Sequence, residues 1–330
     1  MDTFQSAPAP HAEAVGARGE HRRRVMEKLT RELGPEVMAF LHDHTVIEIM
    51  LNPDGCLWVE QLGQPMRRFG RMGAAQAESL MATVASTLRT QITAHSPILE
   101  CELPLDGSRF EALIPPVVAG PTFTIRKKAL TVFSLCDYVE QGILGQGQHD
   151  AIARGVRQRR NILVVGGTGS GKTTLANAVI RHMADVAPED RLAILEDTGE
   201  LQCTAPNAVT LRAVEHVDMT RLLKATMRLR PDRIIVGEVR DGAALALLKA
   251  WNTGHPGGLA TLHANSAPAG LIRLEQLVAE ATQAPVRKLV AEAIDLIVFI
   301  EKVARGRRVR EVVAVHAHDG ESYLTTPVEE

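Results

Sequence analysis

The residues Gly166-Gly167-Thr168-Gly169-Ser170-Gly171-Lys172-Thr173 fit the pattern GxxxxGK[ST] and directly follow the apolar run Ile162-Leu163-Val164-Val165. No other feature of the chain constrains its fold as much. An apolar run of this kind reads as a buried strand, and the residues after Lys172 have helical spacing, so the motif sits in a strand–loop–helix unit. Glycines let the backbone curl closely around phosphate groups and turn several N–H groups inward, and the start of the next helix adds partial positive charge. Lys172 is placed to bridge the β- and γ-phosphates, and the Thr173 hydroxyl to ligate Mg²⁺, with Thr174 the last nucleotide-binding residue of the loop. A glycine-rich turn that binds nothing would need neither the strand before it nor the Lys-Thr pair at its end.

Binding alone is not hydrolysis, and three further strand ends carry the groups that hydrolysis needs. Arg233-Ile234-Ile235-Val236-Gly237-Glu238 is an apolar strand ending in a carboxylate, which places Glu238 to polarise an attacking water and to help hold Mg²⁺ through water. Leu192-Ala193-Ile194-Leu195 runs into Glu196-Asp197. Either acid could hold the metal through water, and Asp197 could instead cap the turn Thr198-Gly199. Leu259-Ala260-Thr261-Leu262 ends in His263, a candidate contact for the γ-phosphate, with His255 a second candidate just before that strand. Neither histidine has a cysteine or a third ligand near it, so zinc is not indicated. Carboxyl ends of parallel strands converge on one sheet edge, so Glu196, Asp197, Glu238 and His263 should meet the 166–173 loop.

Strands and helices alternate around these motifs: strands at 162–165, 192–195, 234–236 and 259–262, and helices at 172–184, 217–229 and 242–251. That alternation predicts an α/β domain with a sheet covered on both faces, over residues 148–330. The segment before it reads as a smaller α+β domain, residues 19–130. Helices are expected at 22–33 and 35–42, broken by Gly34-Pro35. Strands follow at 46–51, 56–61 and 65–69, then a helix at 73–92 and strands near 100–105, 109–114 and 122–125. Residues 131–147, with Gly142, Gly145 and Gly147, read as a linker, and residues 1–18, rich in Ala and Pro, as disordered. Hydrophobic residues at 45 % and charged residues at 23 % suit a chain with a sizeable core. Four cysteines without a CxxC pair suggest a reducing compartment. No run approaches a membrane span, and no leader sequence is read at the start. The net charge of -2 and the 3 % aromatic content argue against a nucleic-acid surface, so direct nucleic-acid binding is not expected. Arg22-Arg23-Arg24 and Arg154, Arg157, Arg159 and Arg160 read first as solvated basic faces, with contact to an anionic membrane or to nucleic acid the alternative.

Taken together, these boxes resemble the secretion ATPase superfamily. Glu196-Asp197-Thr198-Gly199-Glu200-Leu201 is similar to its acidic box. Arg230-Pro231-Asp232-Arg233-Ile234-Ile235-Val236-Gly237-Glu238-Val239-Arg240 is similar to its Walker B segment, and Thr253-Gly254-His255 through Thr261-Leu262-His263-Ala264-Asn265 to its histidine box. Asp106-Gly107-Ser108-Arg109-Phe110, Pro115-Pro116 and Thr122-Phe123-Thr124-Ile125-Arg126-Lys127-Lys128 resemble the type IV secretion and conjugation branch, nearest to TrbB-type conjugative-transfer ATPases. A tetracysteine zinc element of the type II secretion relatives is not found, although a type II secretion or type IV pilus ATPase stays as an alternative.

The resemblance implies a RecA-like fold for the P-loop domain, with ATP and Mg²⁺ as ligands. It implies a homo-oligomeric ring, a hexamer, that works at the cytoplasmic face of the inner membrane with the membrane components of a secretion or conjugation machine. It assigns nucleotide and Mg²⁺ to Lys172 and Thr173, catalysis to Glu238, the acidic-box role to Asp197 or Glu196 and the sensor role to His263. Arg109 and Arg126 match arginines that reach phosphates from the N-terminal domain, while Arg228, Arg230 and Arg240 are further candidates for a subunit interface. The competing readings are a nucleic-acid motor on the same core and a nucleotide-dependent scaffold with little turnover.

Overall fold

The computed structural model describes residues 10–128, 132–214, 216–303 and 306–329, without the side chains of 10–18 and 21. The chain forms two compact units, Met1–Leu130 and Thr131–Glu330.

The first unit opens with α1 (Pro10–His42), interrupted at Gly34, whose φ of 79° is left-handed and whose follower is Pro35. Proline lacks an N–H and clashes with the preceding turn, so the span behaves as two helices, as expected from Gly34-Pro35. The expected disorder over 1–18 is corrected for 10–18, which are helical, while 1–9 lie outside the described residues. The strands are β1 (Val46–Leu51), β2 (Cys56–Gln61), β3 (Arg67–Arg71), β4 (Ile98–Glu102), β5 (Arg109–Leu113) and β6 (Thr122–Arg126), with α2 (Ala74–Thr87) between β3 and β4. The two expected meanders are one sheet, ordered β3-β2-β1-β6-β5-β4, because β1 pairs with β6 as well as β2. Leu29, Leu33, Val37, Leu80, Met81 and Val84 from the helices pack on Ile49, Val59, Phe110, Phe123 and Ile125 from the strands.

The second unit is built on a sheet ordered β14-β13-β12-β7-β11-β10-β8-β9. Its strands are β7 (Ile162–Gly166), β8 (Leu192–Glu196), β9 (Ala208–Arg212), β10 (Arg233–Val236), β11 (Leu259–His263), β12 (Leu296–Val303), β13 (Gly306–His318) and β14 (Tyr323–Pro327). β12, β7, β11, β10, β8 and β9 pair in parallel, and β13 and β14 add antiparallel strands at one edge. Side chains alternate across a strand, so each central strand feeds two cores. Leu163, Val165, Leu195, Ile234 and Val236 face α6 (Met219–Thr226), α7 (Ala243–Asn252), α8 (Ala267–Ala279) and α9 (Arg287–Ala293). Ile162, Val164, Ile194, Ile235 and Val298 face α3 (Leu135–Glu140), α4 (Gln146–Arg157) and α5 (Lys172–Val186).

The expected linker at 131–147 is corrected by the structure. Ser134 and Asp137 form a capping box that starts α3, and Leu135, Tyr138 and Leu144 enter the second core. The expected linker therefore carries core residues that the glycine punctuation hid.

Candidate active site

β7 ends at Gly166, and the loop that follows turns into α5 at Lys172. Gly169 and Gly171 have φ of 69° and 97°, left-handed values that glycine takes without the strain a Cβ would bring. The Leu175 N–H already donates to the Gly171 carbonyl, so helical bonding begins at the last glycine of the loop. Parallel pairing of β11 with β7 sets His263 opposite Gly166. Parallel pairing of β10 with β8 sets Val236 opposite Leu195. The residues just beyond these strands therefore share one edge.

At that edge the side chains form a connected series. Lys172 is buried, and its Nζ donates to the Gly167 carbonyl at 2.9 Å and lies 3.3 Å from His263 Nδ1. His263 Nε2 is 2.9 Å from Glu238 Oε1. Lys172 Nζ is also 3.4 Å from Nε2, so the ammonium sits about equally far from both ring nitrogens. Glu238 Oε2 accepts from Arg240 Nη2 at 2.7 Å, and Arg240 Nη1 donates to Asp197 Oδ2 at 2.5 Å. Burial works against the Arg240 charge, but the hydrogen bond and charge of Glu238, with Asp197 and Glu200, outweigh it and raise its pKa. The backbone carrying Glu238 is held as well. Gly237 N–H donates to the Leu195 carbonyl at 2.8 Å, and the Thr261 hydroxyl donates to the Gly237 carbonyl at 2.5 Å.

Glu196 is placed differently from Asp197. It is buried, and its Oε2 accepts from the backbone N–H groups of Glu200 and Leu201 at 2.9 and 3.0 Å. Its carboxylate thus shapes the acidic loop. That loop delivers Glu200, whose Oε2 accepts from the Thr173 hydroxyl at 3.2 Å. Asn177 braces the same segment through the Glu200 carbonyl and the Gln202 N–H. Glu200 was not singled out from the sequence, although it lies inside the acidic box. The pairing with Thr173 depends on the turn that Glu196 holds. Arg240, from the sequence only an interface candidate, joins two expected site carboxylates. His255 precedes β11 at the opposite end of the strand from His263 and does not join the series. Among the described residues, no group of three or more His, Cys, Asp or Glu could hold a metal alone. A hydroxyl beside a carboxylate suits Mg²⁺, which keeps waters and takes further oxygens from substrate phosphates.

In the first unit, the structure brings Arg109 and Arg126 together as directly paired residues on β5 and β6. Glu102 pairs with Arg109 on one side and Glu48 with Arg126 on the other, with Glu48 Oε1 3.9 Å from Arg126 Nε.

A family model described as "Type II/IV secretion system protein" matches residues 32–319. The chain belongs to this family. It is 56 % identical over 292 residues to a probable conjugal transfer protein TrbB of Sinorhizobium fredii, covering 88 % of this chain and 90 % of that protein. It is 30 % identical to the type IV secretion system protein VirB11 of Bartonella henselae, covering 84 % and 90 % of the two chains. The solved structure of the pilus retraction motor PilT with bound ADP shares the fold, with a TM-score of 0.62 at 19 % identity over 89 % of this chain and 83 % of that one. The second unit is accordingly a RecA-like P-loop domain of the secretion ATPase superfamily, and the first is the smaller α+β domain that precedes it. Among the described residues, no helix is long and apolar enough to cross a membrane.

Proposed function

We propose that this chain is an ATP-hydrolysing motor that powers conjugative transfer or type IV secretion, acting as a ring-shaped homo-oligomer, a hexamer. Its partners would be inner-membrane components of that machine, and its location the cytoplasmic face of that membrane. The observation that carries the reading is the continuous series Lys172–His263–Glu238–Arg240–Asp197 at the end of the P-loop strand. The similarity to TrbB and VirB11 proteins supports the transport role.

In this reading the loop amides and Lys172 hold the β- and γ-phosphates. Glu238 uses one oxygen for His263 and the other for Arg240, and each oxygen keeps a lone pair for a water. That water forms a bond to the γ-phosphorus as its proton passes to Glu238, and the bond from the γ-phosphorus to the bridging oxygen breaks with its electron pair leaving on ADP. His263 couples the γ-phosphate position to Glu238, because it touches both Lys172 and the carboxylate. Mg²⁺, when bound, neutralises charge on the β- and γ-phosphates, and the Thr173 hydroxyl and Glu200 are the residues suited to hold it. Arg109 and Arg126 would supply positive charge from the N-terminal domain.

Steady-state ATP hydrolysis by the wild type and by Lys172→Ala tests the reading. Loss of turnover by about a hundredfold or more is expected from the variant. Wild-type-like turnover in Lys172→Ala would overturn it.

A further inference from the structure

The reacting groups approach the P-loop from one side only. β7 lies between β11 and β12 in the sheet. His263 ends β11, Glu238 follows β10 and Asp197 follows β8, all on the β11 side. With the γ-phosphate of a triphosphate among these groups, the β12 and β13 side of the loop is left for its other end.

That opposite flank is lined by side chains with no role in the chemistry above. Ile300 of β12 and Arg307 of β13 both cover Gly171. A Cβ at position 171 would stand 2.7 Å from Arg307 Cδ, 3.0 Å from Arg307 Nε and 3.7 Å from Ile300 Cδ1. The Arg307 stem thus lies directly on the last glycine of the loop, one residue before Lys172. Its Nε–H is buried and has no hydrogen-bond partner. A buried donor left unsatisfied carries a desolvation cost that an acceptor brought by a ligand would remove. The aromatic neighbour within reach of its charge is the buried Tyr138, whose hydroxyl is pushed up by burial and drawn back down by Arg307. Structural arginines in this unit behave differently. Arg233 and Arg159 both end on Asp190, and Arg160 on Asp295.

We propose that Arg307 is a nucleotide-binding residue that engages the α-phosphate and nucleoside end of the triphosphate on the 166–173 loop. A guanidinium suits this position because it donates to phosphate and ribose oxygens and also lays a flat face against a base. The proposal rests on the ATP reading above, and its test separates the two.

Binding of ATP and of inorganic pyrophosphate to the full chain is measured calorimetrically for wild type, Lys172→Ala, Arg307→Ala and Arg307→Met. The methionine keeps an aliphatic stem over Gly171. Both Arg307 variants should bind ATP about tenfold more weakly or worse, as loss of a charge-assisted contact predicts. Pyrophosphate, which needs only the loop and Lys172, should keep its affinity within about twofold. Unchanged ATP affinity in both Arg307 variants overturns the proposal. Equal loss of ATP and pyrophosphate binding, with a lowered ligand-free melting temperature, also overturns it, because Arg307 then only supports the loop. ATP binding that survives Lys172→Ala contradicts the P-loop reading itself, independently of Arg307.

Discussion

Arg240 shows how much of the site depends on one side chain's geometry. Its two terminal nitrogens point to two different carboxylates, Asp197 and Glu238, which the fold delivers from two neighbouring strands. A lysine has one point charge and cannot span both. Arg240→Lys and Arg240→Gln should therefore lower kcat by a similar factor, about tenfold or more, with a smaller effect on ATP affinity. Steady-state kinetics check this, and full rescue by lysine would show that charge alone matters. The sequence carried Lys172, Thr173, Glu238 and His263 plainly, because each ends or follows an apolar strand. It did not reveal the division of labour inside Glu196-Asp197-Thr198-Gly199-Glu200. Adjacent acids look alike in a string, and only the fold shows Glu196 buried against its own loop while Glu200 meets Thr173. Arg307 carried no signal either, since it acts through a strand pairing far from the loop in sequence.

Among the elements, β10 links stability to chemistry. It begins at Arg233, which is 1 % exposed and donates through Nε to Asp190 at 2.7 Å, and through Nη1 to the carbonyls of Val156 and Gly257. It ends just before Gly237 and Glu238. Asp190→Ala leaves the Arg233 cation buried without its carboxylate. The expected cost is about 3–5 kcal/mol, read from urea unfolding, and a change under about 1 kcal/mol would contradict the account. The apolar central strands were legible from their composition alone. β9 and β14 were not, because they are edge strands with exposed, alternating or mostly polar residues. α3 was missed because glycines beside it outweighed a six-residue helix set by a Ser134–Asp137 cap. The joining of the two N-terminal meanders depends on β1 pairing with β6, a contact between strands more than seventy residues apart that no local pattern encodes.

At the scale of the whole molecule, the proposed motor uses both units and more than one copy of the chain. Arg109 and Arg126 face each other across β5 and β6, flanked by Glu102 and Glu48. Removing Arg126 relieves its repulsion with Arg109 and loses its pair with Glu48, two opposing effects of similar size, so the net cost to the sheet stays within about 1 kcal/mol. Arg126→Ala should therefore keep its melting temperature while losing hydrolysis by about tenfold or more. An unchanged rate would remove the first unit from the chemistry. Sizing by light scattering with ATP and Mg²⁺ should give a ring-sized species, and a monomer under all nucleotide conditions would contradict the oligomeric motor.

In the proposed mechanism, Glu238 activates water while other groups hold the nucleotide. Single-turnover hydrolysis of bound ATP by Glu238→Gln isolates that step. The variant should bind ATP with wild-type affinity and hydrolyse it about a hundredfold more slowly or worse, the scale expected for loss of a general base. Hydrolysis at the wild-type rate from the bound state would contradict the account.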